Sequence, residues 1–115
     1  MWLFMSDAFF SVVAGDDPTT LLVRARRPGD IKRVFPHAEE FSLPGRDYQF
    51  RAFLPRTDVI NALSDYVGSM SYKNFKNSIR NDAYHNACSS VWNTMARLQP
   101  IPPYSTRQSR RGPLL

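Results

Sequence analysis

The residues best suited to chemistry in this chain are cations that lie beside amides and aromatics. The densest such run is SYKNFKNSIR, residues 71–80, which joins two amphipathic helical patterns. Side chains of these types, held in register, can donate to phosphate oxygens. The segment is therefore a candidate nucleic-acid or anion-binding site, and the alternative is a solvated helix side. Its candidate binding residues are Tyr72, Lys73, Asn74, Lys76 and Arg80.

A second set of cations comprises Arg24, Arg26 and Arg51. Each alternates with apolar residues in a strand-like run, and period-two alternation sends alternating residues to opposite faces of a sheet. If both runs join one sheet, the three arginines share a face, with Gln49 and Phe53 beside them. Guanidinium groups bind phosphate or carboxylate bidentately and also stack on rings. The alternative is an ordinary solvent face, or arginines paired with acids.

The sequence offers no convincing candidate for a catalytic residue or a metal ligand. His85 and Cys88 lie one helical turn apart, but two ligands do not make a zinc site, and Cys88 falls in an apolar stripe typical of an inert buried thiol. The paired acids at 16–17 and 39–40 are not a recognisable acid/base pair. We therefore predict no catalytic residue, no metal and no cofactor.

Composition limits the class of protein. The 115 residues include 43% hydrophobic side chains and a single cysteine, which predicts a globular chain without disulfides in a reducing, cytoplasmic compartment. The apolar start lacks a basic flank and is not expected to be a signal peptide, and no run approaches the ~20 apolar residues of a membrane span. The net charge is +5, of which three positive charges follow Pro100. They belong to Arg107, Arg110 and Arg111.

The periodicity predicts an α+β fold with an antiparallel sheet of two hairpins and helices packed on one face, in the order ββ-α-ββ-α-α-α. The first hairpin covers residues 9–14 and 20–27, and the second covers 41–43 and 48–54. In the second, Tyr48 is expected on the face of Phe50, Ala52 and Leu54. A short helix follows Asp30, a plausible N-cap.

Two longer helices complete the pattern. Thr57 is the expected N-cap of the first, and a chain break is expected near residues 81–82, before the last helix. Residues 1–99 are predicted to form one domain, and residues 100–115 a flexible tail rich in proline and arginine. The first helix has an apolar stripe of Val59, Ile60, Leu63, Tyr66, Val67 and Met70. The last has a stripe of Tyr84, Ala87, Cys88, Val91, Met95 and Leu98.

Three segments carry a resemblance: WLF at 2–4 followed by FFSVV at 9–13, DYQFRA at 47–52, and YKNFK at 72–76. Together with Val91-Trp92, they resemble a group of small bacterial and phage proteins with a "WLF…GFFSVV" strand and a "YxNFK" segment. The likeness covers residues 1–99, with Ala8 in place of the group's glycine. It implies a domain boundary rather than an activity, and it marks Arg51, Tyr72, Asn74 and Lys76 for testing.

These observations predict a small non-catalytic binding module, phage- or mobile-element-encoded by the resemblance, whose basic surface engages nucleic acid, an acidic protein surface or a nucleoprotein complex. One alternative is a protein-interaction module, an inhibitor or adaptor for a host protein, with Phe53, Tyr72 or Trp92 as hot spots and a homodimer as its simplest form. The other is a phosphate-handling enzyme. No membrane partner is expected.

Overall fold

An antiparallel sheet organises the N-terminal part of the chain. A computed structural model describes residues 1–104, and the arginine-rich tail beyond them lies outside the described residues. The sheet has five strands in the order β1-β2-β3-β5-β4. The strands are β1 (Trp2–Phe4), β2 (Phe9–Ala14), β3 (Thr20–Ala25), β4 (Phe41–Ser42) and β5 (Phe50–Pro55).

Four helices accompany the sheet in the described residues, and the α+β class is as predicted. The chain divides into two compact units, the first Met1–Arg80 and the second beginning at Asn81. The predicted element order is wrong in one respect, because β1 pairs with β2 as an additional strand. The predicted boundary at residue 99 stays a prediction. The helices are α1 (Asp30–Val34), α2 (Arg56–Gly68), α3 (Phe75–Ser78) and α4 (Asp82–Ala96).

The pairing of β3 with β5 sets which side chains form the core. Leu21 pairs with Leu54 and Val23 with Ala52, so their side chains share one face of the sheet. Helices α1 and α2 cover this face, and a cluster of buried apolar side chains lies between them and the sheet. Its main members are Phe10, Val12, Val23, Ala25, Ile31, Phe35, Ala52, Leu54 and Val59.

Helix α1 is joined to the sheet by a buried carboxylate. Gly29 occupies the N-cap with φ 87°, a left-handed conformation that glycine adopts without strain. Asp30 is therefore the first helical residue and not the predicted N-cap. Its side chain, only 2% exposed, accepts from the Phe9 backbone N–H at 3.2 Å and pairs with Arg27 at 3.2 Å. The carboxylate thus fixes α1 against the start of β2.

Replacing Asp30 with asparagine should destabilise the protein by about 2 kcal/mol, since a buried hydrogen-bonded carboxylate is lost and Arg27 loses its ion pair. Urea denaturation followed by circular dichroism measures this loss. Asp16→Asn is the matched control, because Asp16 is exposed in the β2–β3 turn. Equal midpoints for the two variants would show that the buried carboxylate does not hold α1 in place.

The β2–β3 turn is organised by a second carboxylate. Asp17 accepts from the Thr19 backbone N–H at 2.8 Å and also from the Thr19 and Thr20 hydroxyls. The Thr19 hydroxyl bond, followed by the Thr19 backbone bond, lowers the pKa of Asp17 below its ordinary value. A lowered native pKa stabilises the fold at pH values above the unfolded-state pKa, and this contribution disappears as the pH falls through the native pKa.

Thr19→Ala should raise the pKa of Asp17 toward its ordinary value, because the strongest of its hydrogen bonds is removed. Carbon-detected NMR titration of the Asp17 carboxyl between about pH 2 and 6 measures the change. The substitution should also cost more stability at neutral pH than at pH values below the Asp17 pKa. An unchanged Asp17 pKa in the variant would contradict the assignment of this hydroxyl as the cause.

Helix α2 begins directly from β5. Pro55 pairs with Thr20 and is also the N-cap, so the helix starts at Arg56 and the predicted cap at Thr57 is wrong. The Arg56 backbone N–H donates to the Thr19 carbonyl at 2.6 Å, which ties the junction to the β2–β3 turn. Because the strand continues into the helix without a loop, the predicted capping residue has no terminus to cap.

The apolar stripes predicted for the two long helices are only partly buried. On α2, Val59 is buried, but Ile60 and Val67 are 53% and 66% exposed. On α4, Tyr84 and Cys88 are buried. Met70, Ala87, Met95 and Leu98 are exposed. The stripe prediction was therefore too wide for both helices.

The expected break before the last helix is present. Asn81 caps α4, its side chain accepting from the Tyr84 N–H at 2.9 Å. In the second unit, the Trp92 and Tyr104 rings stack with centroids 6.2 Å apart. None of the helices in residues 1–104 has the length and apolar character required to cross a bilayer.

Candidate functional site

The sheet face opposite α1 and α2 carries a row of side chains that runs across all five strands. Trp2 pairs with Ser11, Ser11 with Arg24, Arg24 with Arg51, and Arg51 with Phe41. Directly paired residues point to the same side of a sheet. The two central arginines therefore lie side by side, as the alternation predicted, between an aromatic residue at each edge. We call this surface the open face.

Tyr48 lies among the arginines of the open face and contacts all three of them. The guanidinium carbons of Arg24 and Arg26 are 4.6 and 4.3 Å from the centroid of its ring. The ring is a favourable partner for cations because its faces carry partial negative charge. The prediction that Tyr48 shares the core-facing side with Phe50 is wrong, because β5 begins only at Phe50 and the preceding residues form a bend.

Hydrogen bonds fix the three guanidinium groups. Arg24 donates to the Ser11 hydroxyl at 2.6 Å, and Arg26 to the Asp47 carbonyl at 2.6 Å. Arg51 donates to the Tyr48 carbonyl and to the Asp47 carboxylate, each at 3.0 Å. These hydrogen bonds hold the guanidinium groups in place without a ligand. Binding an anion would therefore cost little side-chain entropy, because the groups are already ordered.

The charges on this surface do not balance. Of the three guanidinium groups, only that of Arg51 pairs with a carboxylate among the described residues, that of Asp47, whereas Arg24 and Arg26 donate to uncharged oxygens. Like charges directly opposite each other on neighbouring strands are destabilising, and Arg24 and Arg51 have that relation. In addition, Arg24 Nε is buried and has no hydrogen-bond partner among the described residues. The arrangement is poor for stability and suited to an anionic ligand.

Aromatic rings flank the arginines on both sides. At the β1 edge, Trp2 meets Phe9 edge-on at 6.2 Å, and Phe4 lies 4.6 Å from Phe9. At the β4–β5 edge, Phe41 and Phe53 stack with centroids 5.9 Å apart and an interplanar angle of 23°. Trp2, Phe41 and Phe53 are 64%, 37% and 48% exposed. The rings at the two edges are therefore accessible, and Arg26 is the exposed cation between them, whereas Tyr48 is buried and the Arg51 side chain is only 13% exposed.

The basic segment 72–80 is held by a different set of contacts. The Asn74 side-chain oxygen accepts from the Asn77 N–H at 3.0 Å, so it caps α3. Ser78 contacts Ser6 at 2.7 Å through their hydroxyls, which ties α3 to the β1–β2 turn. Lys73 and Arg80 are exposed, whereas Lys76 is half-buried.

Tyr72 of this segment is half-buried, with its ring 6.0 Å from that of Phe75. Burial, and secondarily the neighbouring Tyr66, raises the pKa of the Tyr72 hydroxyl above its ordinary value. The phenol therefore stays neutral at physiological pH and retains its proton as a hydrogen-bond donor.

Three aromatic residues of the open face, Trp2, Phe41 and Tyr48, were missed as site residues by sequence reasoning. Phe41 was assigned to a hairpin strand without a face. Tyr48 was read as core because the alternation was extended beyond the start of β5, and Trp2 because the strand at the N-terminus was not placed in the sheet order. The signal for Trp2 was present, since residues 2–4 and 9–14 are both strand-like runs separated by a short polar turn.

A groove of about 340 Å³ lies between the end of α1 and α2 on the opposite side of the first unit. His37, Asp58 and Asp65 line it together with apolar residues such as Phe35 and Leu54. Within residues 1–104, no three histidine, cysteine or carboxylate side chains converge as metal ligands would. The groove has polar groups at the edge of an apolar cleft, but its lining residues form no arrangement that we can assign to catalysis or metal binding.

Comparisons with known proteins add no relative. No family model, curated protein or solved structure matches the chain. The assignment of function therefore depends on the geometry of the open face.

Arg24→Met should leave the free energy of unfolding within about 1 kcal/mol of the original protein. Removal of the opposed charge and of the buried unpaired Nε offsets the lost contacts to Ser11 and Tyr48. Val23→Ala, one residue away in the core, should cost on the order of 2 kcal/mol. Denaturant titrations compare the two. A loss in Arg24→Met as large as that in Val23→Ala would show that the arginine serves the fold.

Proposed function

We propose that this protein is a non-catalytic binding module that engages nucleic acid through the open face of its sheet. The observation that carries the proposal is the clustering of Arg24, Arg26 and Arg51 around Tyr48, in which only Arg51 pairs with a carboxylate, that of Asp47, among the described residues. Phosphate is the anion to which guanidinium groups are geometrically matched, because the planar group donates two parallel hydrogen bonds.

The neighbouring rings favour nucleic acid over an acidic protein surface. An acidic peptide would use the cations and leave Trp2, Phe41 and Phe53 exposed beside them. Nucleic acid presents phosphates and aromatic bases together, and both have partners on this face. The resemblance to bacterial and phage proteins supports a further step, in which the target is a nucleoprotein complex in a bacterial cytoplasm.

The basic segment 72–80 is proposed as a separate phosphate-binding surface, because its contacts described above are to Ser6 and to Tyr66 of α2 and not to the arginines of the open face. Lys73 and Arg80 are exposed and would add cations without base recognition. Asn74 is a weaker candidate than the sequence implied, because its side-chain oxygen is already used as the cap of α3.

The double substitution Arg24→Gln/Arg26→Gln should weaken nucleic-acid binding at least about tenfold. It should also lower the slope of log affinity against log salt by about 1–2, because each lost phosphate contact removes close to one released counterion. Fluorescence polarisation with labelled DNA and RNA oligonucleotides, over a salt series and with the full-length chain, measures both quantities.

Two full-length control variants separate the effect of the arginines on the open face from the effect of the protein's net charge. Lys32→Gln/Arg33→Gln removes the same charge from exposed residues of α1, the helix on the other side of the sheet. A variant with Arg107, Arg110 and Arg111 changed to glutamine tests the tail. Binding that follows the tail, or that falls equally in the α1 control, would show that the open face is not the site.

A protein-interaction module is the second candidate, favoured by the flank of α2. Ile60 and Val67 each follow a core-facing residue of α2, Val59 and Tyr66, by one position and are largely exposed. Exposed apolar side chains that adjoin one another mark partner surfaces. In a pull-down with the full-length chain, one stoichiometric protein partner whose binding survives nuclease treatment and the Arg24→Gln/Arg26→Gln substitution would move this candidate to first place.

A further inference from the structure

We infer that the ligand of the open face is single-stranded nucleic acid, with unpaired bases stacked on the Phe41–Phe53 ring pair and on Trp2, and with phosphates on the arginines between them. The inference rests on the proposed function and deepens it, because it names the form of the nucleic acid and the residues that recognise it.

The order of side chains across the sheet matches an extended strand. Neighbouring strands lie about 4.8 Å apart, so Trp2 on β1 is about 10 Å from Arg24 on β3. Arg51 on β5 is about 5 Å from Phe41 on β4. The row thus spans roughly 19 Å from one aromatic edge to the other, with the cations in the middle. A ligand that follows the row meets ring, charge and ring in turn.

The Phe41–Phe53 pair is a suitable stacking surface. The two rings are nearly parallel, 23° apart, and both are exposed. Their positions are fixed by the backbone, because Phe41 pairs with Arg51 on β5 and Phe53 pairs with Leu22 on β3. An exposed ring held in place loses little entropy when a base stacks on it, which is why stacking contributes substantially to single-strand binding.

Duplex nucleic acid does not fit this face. Its bases are stacked inside the helix, and their faces are not available to aromatic side chains. A duplex would contact only the three arginines, and the exposed rings would meet a hydrated phosphate backbone. An unpaired strand can place its bases on the rings and its phosphates on the cations.

A second copy of the chain does not fit either. A two-fold dimer that joined open faces would bring the same patch of each protomer together. Six guanidiniums and only two Asp47 carboxylates would then lie in one interface. Like charges placed against each other oppose association, and the rings alone would have to overcome that repulsion.

The test uses the full-length protein and fluorescein-labelled oligo(dT) and oligo(rU) of about twelve nucleotides, with a mixed-sequence duplex of the same length. The variants are Phe53→Leu, Phe41→Leu and their combination, which retain apolar volume but remove the ring. Tyr104→Leu, which removes a 90% exposed ring in the second unit, is the matched control. Phe53→Tyr retains the ring and should restore binding.

The expected result is tighter binding of the single strands than of the duplex, with a loss of about five- to hundredfold in the phenylalanine variants and none in the control. The residual binding should keep the salt slope of the original protein, since no cation has been removed. Circular dichroism confirms that the variants are folded, and Phe53→Tyr guards against a purely structural effect.

Three results would overturn the inference. The first is equal affinity for duplex and single strand, with no effect of the phenylalanine substitutions but weaker binding in Arg24→Gln/Arg26→Gln. That result would retain nucleic-acid binding by the open face and exclude base stacking on the rings. No binding of any oligonucleotide removes the proposed function as well. A concentration-dependent dimer in sedimentation, dissociated by Phe53→Leu, assigns the open face to a second copy.

Discussion

The antiparallel register between β3 and β5 is the constraint on which the core and the candidate site both depend. When Val23 faces Ala52 in the core, Arg24 and Arg51 must face each other on the other side. A slip of one residue would move the apolar set to solvent and the arginines into the core. Burial of the apolar face therefore also brings the arginines together on the other face. The backbone positions of the candidate site are fixed by the same register as those of the core.

That register also imposes a cost, and the β4–β5 connection offsets part of it. Asp47 lies in this connection and accepts from two of the three arginines, and Tyr48 covers two of them with its ring. A buried tyrosine, 4% exposed, is thus used to order cations instead of to fill the core. Proteins retain locally unfavourable arrangements of this kind chiefly where they serve binding, because selection acts on function once stability suffices.

Much of the fold was predictable from period-two alternation, because the residue that alternates with an apolar core position must face the other way. This rule predicts that Arg24, Arg26 and Arg51 share a face, and the structure brings them together around Tyr48. It failed at Tyr48, since alternation stops where the strand stops and the sequence does not mark that point. Helical periodicity was too generous for α2, because Ile60 and Val67 repeat at helical spacing but the sheet covers only one side of the helix. Asn74 shows a third limit: an amide near a helix start has a local partner, and local hydrogen bonds compete with a binding role.

In the proposed function, the arginines and the aromatic rings of the open face would recognise different properties of a ligand. Attraction between guanidinium groups and phosphates weakens with salt and carries no information about base pairing. Stacking on Trp2, Phe41 and Phe53 is nearly independent of salt and requires bases that are free to leave their neighbours. A surface with cations alone would hold any nucleic acid, and one with rings alone would attract apolar partners of every class. In the proposed mode of binding, cations flanked by rings at both edges favour ligands that present charge and ring surface together, and an unpaired polynucleotide presents both along its whole length.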